Sequence, residues 1–269
     1  MTHPKEISLA FALEAAVTAA RAAGVVLRRG FGTSLQGTVT KAHRHDPVTV
    51  FDREADRAIA DILLAADPHL GLVSEEGTHR AIHGARWIVD PLDGTNNFLR
   101  GVPDFAVSIA LVDDAGPSIA CVYDPLRDEM FTATRGGGAA RNDEPLRVSS
   151  LSSLDGAVLG VGFSTEPDRR RATLGQLPAF VSLVRSLRIV GSAALDLAYV
   201  AAGRFDGTWY LSLHDWDVAA GWLLVTEAGG RVSDLRGGRL LSPETSGILA
   251  SNGPLHPLLI AALAASPRP

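Results

Sequence analysis

The chain has 269 residues, 46% of them apolar, enough to bury one large core or two closely packed halves, which excludes a disordered chain. Its 25 basic and 30 acidic residues give a formal net charge of −5, and the longest basic run is Arg169-Arg170-Arg171, so a general nucleic-acid surface has no support. The single cysteine, Cys121, forbids an internal disulfide and reads as a buried strand residue in the apolar run 119–122. The opening Met1-Thr2-His3-Pro4-Lys5-Glu6 is not a charged leader followed by an apolar block, and no uninterrupted apolar segment reaches the roughly 20 residues that span a bilayer. The expectation is a soluble, cytoplasmic protein with a small molecule as partner, and neither nucleic acid nor membrane.

Leu9, Leu13, Ala16, Val17, Ala20, Val26 and Leu27 recur at helical spacing and predict a first helix over 6–29, stopped by Gly30. After a loop, Ala55, Ile59, Ile62 and Leu63 predict a second helix over 52–66. Strand-like runs at 72–73 and 87–89 each lead into acidic residues, and 106–112, 118–123 and 129–133 predict an antiparallel meander. Gly136-Gly137-Gly138 could cradle a phosphate, but no helical pattern follows it, so a plain hairpin is expected. From Ser149 onward strands at 158–161, 187–190, 209–213, 231–233 and 248–250 alternate with helices at 167–186, 192–202, 215–228 and after Pro254.

Chemistry concentrates in Trp87-Ile88-Val89-Asp90-Pro91-Leu92-Asp93-Gly94-Thr95-Asn96-Asn97-Phe98, where an apolar strand runs into two carboxylates three residues apart. Pro91 stiffens the turn, and Gly94 with Thr95 would sit at a helix start, where free N–H groups favour a phosphate. Converging carboxylates repel one another, which a fold tolerates when they hold cations, and hard oxygen donors favour magnesium. Glu75-Glu76 before Gly77, Asp52 at a helix start and Asp217 in Trp216-Asp217-Val218-Ala219-Ala220-Gly221 are further acids; singly, each is equally a solvated turn or a helix-start residue facing the dipole.

Four motifs in order, Asp46-Pro47-Val48-Thr49-Val50-Phe51-Asp52, Ser74-Glu75-Glu76-Gly77, residues 90–98 and residues 216–221, resemble the inositol monophosphatase family. That family is the magnesium-dependent, lithium-sensitive branch of the fructose-1,6-bisphosphatase-like superfamily. The resemblance implies an α/β (α+β) fold, a layered αβαβα sandwich of two tightly associated lobes. Residues 1–148 would carry the antiparallel sheet and most metal ligands, and residues 149–269 would close the site. It further implies that Glu75, Asp90 and the Leu92 carbonyl hold a first Mg2+, that Asp90, Asp93 and Asp217 hold a second, and that Glu75 helps with a weaker third. Asp52 and Thr95 would orient the attacking water, and the phosphate would rest on the N–H groups of Gly94 and Thr95. Lys41 falls where the family carries a lysine on a loop near the metals, and a homodimer is expected; a solvated surface lysine is the alternative for Lys41.

Asn96-Asn97-Phe98 resembles the inositol monophosphatase branch, and Gly191-Ser192-Ala193-Ala194 the family's substrate-side segment, so Asp93, Ser192, Ala193 and Asp217 are expected near the substrate. One position departs: the family's best-known members carry a glutamate seven residues before the last metal aspartate, and this chain has Tyr210. Its hydroxyl can donate or accept, but it replaces a charged acceptor and alters the pocket. The expected activity is hydrolysis of a small polyol phosphate, inositol monophosphate first. Histidinol phosphate, fructose 1,6-bisphosphate or a nucleotide 3′-phosphate are alternatives, and a catalytically silent metal-binding regulator is the reading from another class. His43, His45, His79, His83 and His214 are expected to be solvent or structural groups.

Overall fold

The computed structural model describes residues 8–33, 39–40, 47–164, 166–240 and 243–266; Lys41, His43, His45 and Asp46 lie outside the described residues. In chain order α1 (Leu9–Gly30), β1 (Val39–Thr40), β2 (Pro47–Val48) and α2 (Val50–Ala66) come first. Then follow β3 (Gly71–Ser74), β4 (Gly77–Arg80), β5 (Arg86–Asp93), α3 (Thr95–Arg100), β6 (Ala106–Asp113), β7 (Gly116–Asp124), β8 (Glu129–Thr134), β9 (Gly138–Arg141) and β10 (Glu144–Pro145). The remainder is β11 (Val158–Val161), α4 (Pro167–Val181), β12 (Ser186–Arg188), α5 (Ala193–Ala201), β13 (Gly207–Tyr210), α6 (Asp215–Glu227), β14 (Arg231–Ser233), α7 (Pro243–Ser246), β15 (Ile248–Ser251) and α8 (His256–Ala265).

These stack as five layers: α1 and α2, an eight-stranded sheet ordered β10-β9-β8-β7-β6-β5-β3-β4, α5 and α6, a five-stranded sheet ordered β12-β11-β13-β15-β14, and α4 with α8. The expected αβαβα sandwich is therefore the fold. The central strands of the first sheet are buried on both faces, and alternation along their regular stretches deals the side chains to two cores. Trp87, Val89, Val107, Ile109, Leu111, Ile119, Cys121 and Tyr123 face α1 and α2. Ile88, Ala106, Ala110, Ala120 and Val122 face α5 and α6. The small residues on that second face let α6 lie close to the sheet, its own Ala219 and Ala220 buried against them. A third core, including Phe180 stacked on Trp209 with ring centroids 4.4 Å apart, fills the outer face of the second sheet.

The meander is present from β5 to β9, but β3 joins it parallel to β5. The fourth helix runs through Pro178 and ends at Val181 rather than 186; beyond it the N–H groups of Leu183 and Val184 both turn back to the Phe180 carbonyl at 3.0 Å. The following strand accordingly shifts to Ser186–Arg188. The triple glycine is a turn between β8 and β9, and the N–H groups of Gly136 and Gly138 donate to the carboxylate of Glu227 at 2.8 and 2.9 Å. By length and composition α1 alone among the described helices could cross a membrane, which the sequence reading did not anticipate; here nine of its residues are buried inside the fold. Cys121 is buried with its sulfur 3.3 Å from Met130 Sδ, and burial pushes its thiol up to about 12.

The closing helix holds a histidine that the sequence reading passed over. The His256 ring is buried between the hydroxyls of Ser233 and Ser251, each 2.8 Å from a ring nitrogen. Burial first, then the nearby Arg231, lowers its pKa to about 4. An unfolded histidine titrates near about 6.5, so between those values the unfolded chain binds the extra proton and stability falls as pH drops from 6.5 towards 4. The contribution is on the order of 2 kcal/mol. Urea midpoints measured from pH 7 to pH 4 are expected to fall more steeply for the native chain than for His256→Gln; parallel curves would remove the histidine from the account.

Candidate active site

On a regular strand, residues three apart point to opposite faces. β5 is not regular there: Asp90 pairs with Ser108 and Asp93 with Ala106, so three steps on β5 oppose two on β6. This bulge, at Pro91-Leu92, re-aims the chain so that both carboxylates join one cluster. Asp90 folds back to accept the Leu92 N–H at 2.9 Å. Gly94 then turns the chain with φ 99° and caps α3. A Cβ there would lie 3.0 Å from the Asp104 carbonyl and 3.1 Å from Phe105 Cβ, so only glycine fits.

Asp52 and Asp217 reach the same place from two helix N-termini. Each is the third residue of its helix and closes a capping box, accepting from the Thr49 N–H at 2.8 Å and from the His214 N–H at 2.8 Å respectively. The side chains expected at the site are thus also the ones that cap these helices. The other oxygen of Asp52 accepts from the Thr95 hydroxyl at 3.3 Å, which also lies 3.1 Å from the Leu92 carbonyl. The Ser108 hydroxyl donates to the Trp216 carbonyl at 3.1 Å, tying the start of α6 to β6. One carboxylate oxygen from each of Asp90, Asp93 and Asp217 lies within 4.8 Å of the others. Glu75 leaves the end of β3, its N–H held by the Val89 carbonyl at 3.0 Å, and its charge helps to raise the Asp90 carboxyl.

The electrostatics of the cluster are dominated by burial and by repulsion between carboxylates. Burial first, then Glu75, Asp93 and Asp217, pushes Asp90 well above the usual carboxylate range. Burial raises Asp93 to about 6 against the hydrogen bonds it accepts from Ser192 and Ala194. It also raises Asp52 to about 6, with Glu76 and Glu75 adding to it and Thr49 opposing. Among the described residues no lysine or arginine pairs with Asp90 or Asp93; their hydrogen-bond partners are backbone N–H groups and Ser192. An all-oxygen donor set, buried and mutually repelling, fits a hard divalent cation.

A model of the inositol monophosphatase family matches residues 9–268. The chain belongs to the inositol monophosphatase family. It is 46% identical over 232 residues to an inositol-1-monophosphatase of Rhizobium meliloti, covering 84% of this chain and 86% of the relative. It is 43% identical over 242 residues to the Nus factor SuhB of Xylella fastidiosa, covering 88% of each. The crystal structure of the extragenic suppressor protein suhB from Bartonella henselae superposes with a TM-score of 0.87 at 40% identity, over 94% of this chain and 98% of that one. Inositol monophosphatases are phosphatases, and the acidic cluster sits on this chain's version of that fold.

The residues expected on the substrate side have these protein contacts. The Ser192 hydroxyl caps α5 and donates to Asp93 at 2.6 Å, joined by the Ala194 N–H at 2.6 Å, while Ala193 is buried beside them. Tyr210 is buried, and its hydroxyl donates to Asp196 at 2.7 Å; its ring fills the space over Gly162, where a Cβ would stand 1.6 Å from it. Asp196 is fully buried, burial raises it to about 7, and its Oδ1 has no hydrogen-bond partner. Sequence reasoning missed it, although one acid inside the apolar stretch Ala193-Ala194-Leu195-Asp196-Leu197-Ala198 was the available signal. His79 pairs with buried Asp56 at 2.6 Å, and His214 with Glu244 at 2.6 Å.

Proposed function

We propose that this chain is a magnesium-dependent phosphomonoesterase that hydrolyses a small polyol phosphate, with inositol monophosphate the first substrate to test. The observation that carries the reading is the convergence of the Asp90, Asp93 and Asp217 carboxylates within 4.8 Å, next to the hydrogen-bonded pair of Asp52 and Thr95. Glu75, Asp90 and the Leu92 carbonyl would hold one Mg2+, and Asp90, Asp93 and Asp217 a second, with Glu75 assisting a weaker third. Bound there, the ions supply Lewis-acid charge for the attacking and leaving oxygens of an in-line displacement. The chain's own groups do the rest. Asp52, held through Thr49, and the Thr95 hydroxyl orient a water, and the Asp52 carboxylate is the group of the two that can take up its proton. The N–H groups of Gly94 and Thr95, at the turn that only glycine can make, hold the phosphate.

Tyr210 is buried with its hydroxyl committed to Asp196, so this position offers the substrate no charged acceptor, which keeps histidinol phosphate, fructose 1,6-bisphosphate and nucleotide 3′-phosphates as alternatives. The reading also carries the family's expected lithium sensitivity, a cytoplasmic location, a homodimer, and two lobes, residues 1–148 and 149–269, the second closing the site. A role as a Nus factor, the name several relatives bear, is the competing reading. Phosphate release from inositol 1-phosphate, histidinol phosphate, fructose 1,6-bisphosphate and adenosine 3′,5′-bisphosphate, each with Mg2+ and with chelator, separates them. Release that requires Mg2+ is expected from at least one; none from any would leave the non-catalytic role.

A further inference from the structure

We propose that Asn97 is a positioning residue that sets divalent-cation affinity by acting through Asp93; this rests on the phosphatase reading above. Its single side-chain amide group spans two segments far apart in sequence, donating to the Asp104 carbonyl at 2.6 Å and the Val190 carbonyl at 2.8 Å. Both acceptors are carbonyls, so both amide protons are used and an isosteric aspartate could make neither bond. The Asp104 end is braced: its carboxylate pairs with Arg127 at 2.7 Å, and Arg127 also holds Asp124 at 2.7 Å and the Pro103 carbonyl at 2.8 Å.

The Val190 end leads to the site within four residues. Gly191 turns with φ 85°, and a Cβ there would stand 3.0 Å from the Asn97 amide nitrogen, so the backbone passes directly against that side chain. Ser192 and Ala194 follow and place two hydrogen bonds of 2.6 Å on the same Asp93 oxygen, Oδ2. Asp93 otherwise depends on the bulge of β5 alone, whereas this route fixes its carboxylate from the second sheet's side of the molecule. Asn97 therefore relays the braced 101–105 loop to the residues that aim Asp93. Such outer partners of a metal ligand are worth about 10- to 100-fold in metal affinity.

The test uses the full-length protein with Mn2+ as probe, titrated by electron paramagnetic resonance, beside Mg2+ half-saturation of phosphate release and melting temperature in chelator. Asn97→Ala, and Asn97→Asp where the alanine variant folds poorly, are expected to weaken Mn2+ binding about 10- to 100-fold and to shift the Mg2+ half-saturation likewise, with turnover largely recovered at high Mg2+. Ser192→Ala combined with Asn97→Ala should cost less than the sum of the two, because both act on Asp93. A lowered melting temperature with unchanged Mn2+ affinity, or strictly additive losses, would overturn the inference and leave Asn97 a loop anchor. A native protein that binds no Mn2+ and releases no phosphate would overturn the inference together with the reading beneath it.

Discussion

Asp90→Asn will lower Mg2+-dependent phosphate release by about a thousandfold or more, and in chelator the variant will melt no lower than the native chain. The two halves of that result have one cause. Asp90 is buried among Glu75, Asp93 and Asp217, and the ionised form is disfavoured by all of them. An asparagine keeps an oxygen for the Leu92 N–H yet removes one charge from the crowd, so the metal-free fold loses a repulsion. What it also removes is the carboxylate proposed to be shared between two cations. Added Mg2+ should raise the native melting temperature by mass action and the variant's much less. Scanning calorimetry with and without Mg2+ reads both; full activity, or a variant that melts well below native in chelator, would show Asp90 to be a structural residue instead.

Gly94→Ala is expected to damage stability and activity together. The residue holds φ 99°, which costs an L-residue about 1–2 kcal/mol. Its new methyl would press on the Asp104 carbonyl and Phe105 within 3.2 Å, an overpacking cost of about 1–3 kcal/mol. Together these amount to a fall of roughly 5–15 °C in melting temperature for a chain of this size. Because Gly94 separates Asp93 from Thr95, a shift of its backbone moves a proposed metal ligand and a proposed phosphate donor at once, and kcat/KM should drop about 100-fold or more. Native kinetics in this variant would detach the α3 turn from the phosphate.

The sequence made the layers and the acidic motifs legible because their signals are local. An apolar strand running into Asp90 and Asp93, and acids at the starts of α2 and α6, can be read from a dozen residues each. The bulge that lets Asp90 and Asp93 share a cluster could not be, since it exists only in the pairing of β5 with β6. The same holds for Ser192 and Asp93, 99 residues apart, and for the hydrogen bond of Tyr210 with Asp196. β4, Gly77-Thr78-His79-Arg80, has no alternation of apolar and polar residues, and it was missed; its existence depends on pairing with β3.

The capping box of α6 bears on how a cation would arrive. In it the Asp217 carboxylate's direction is fixed by an N–H group three residues back, before any ligand is present, and Asp93 is likewise pinned by Ser192 and Ala194. Freezing a side chain of this kind ordinarily costs a binding reaction about 0.5–1.5 kcal/mol of rotamer entropy. Here those torsions are already frozen by helix formation, so ion capture draws little on conformational entropy. Its kinetics should then follow how readily the incoming ion sheds water: Mn2+, with its more labile hydration shell, will load faster than Mg2+ onto the same preset oxygens.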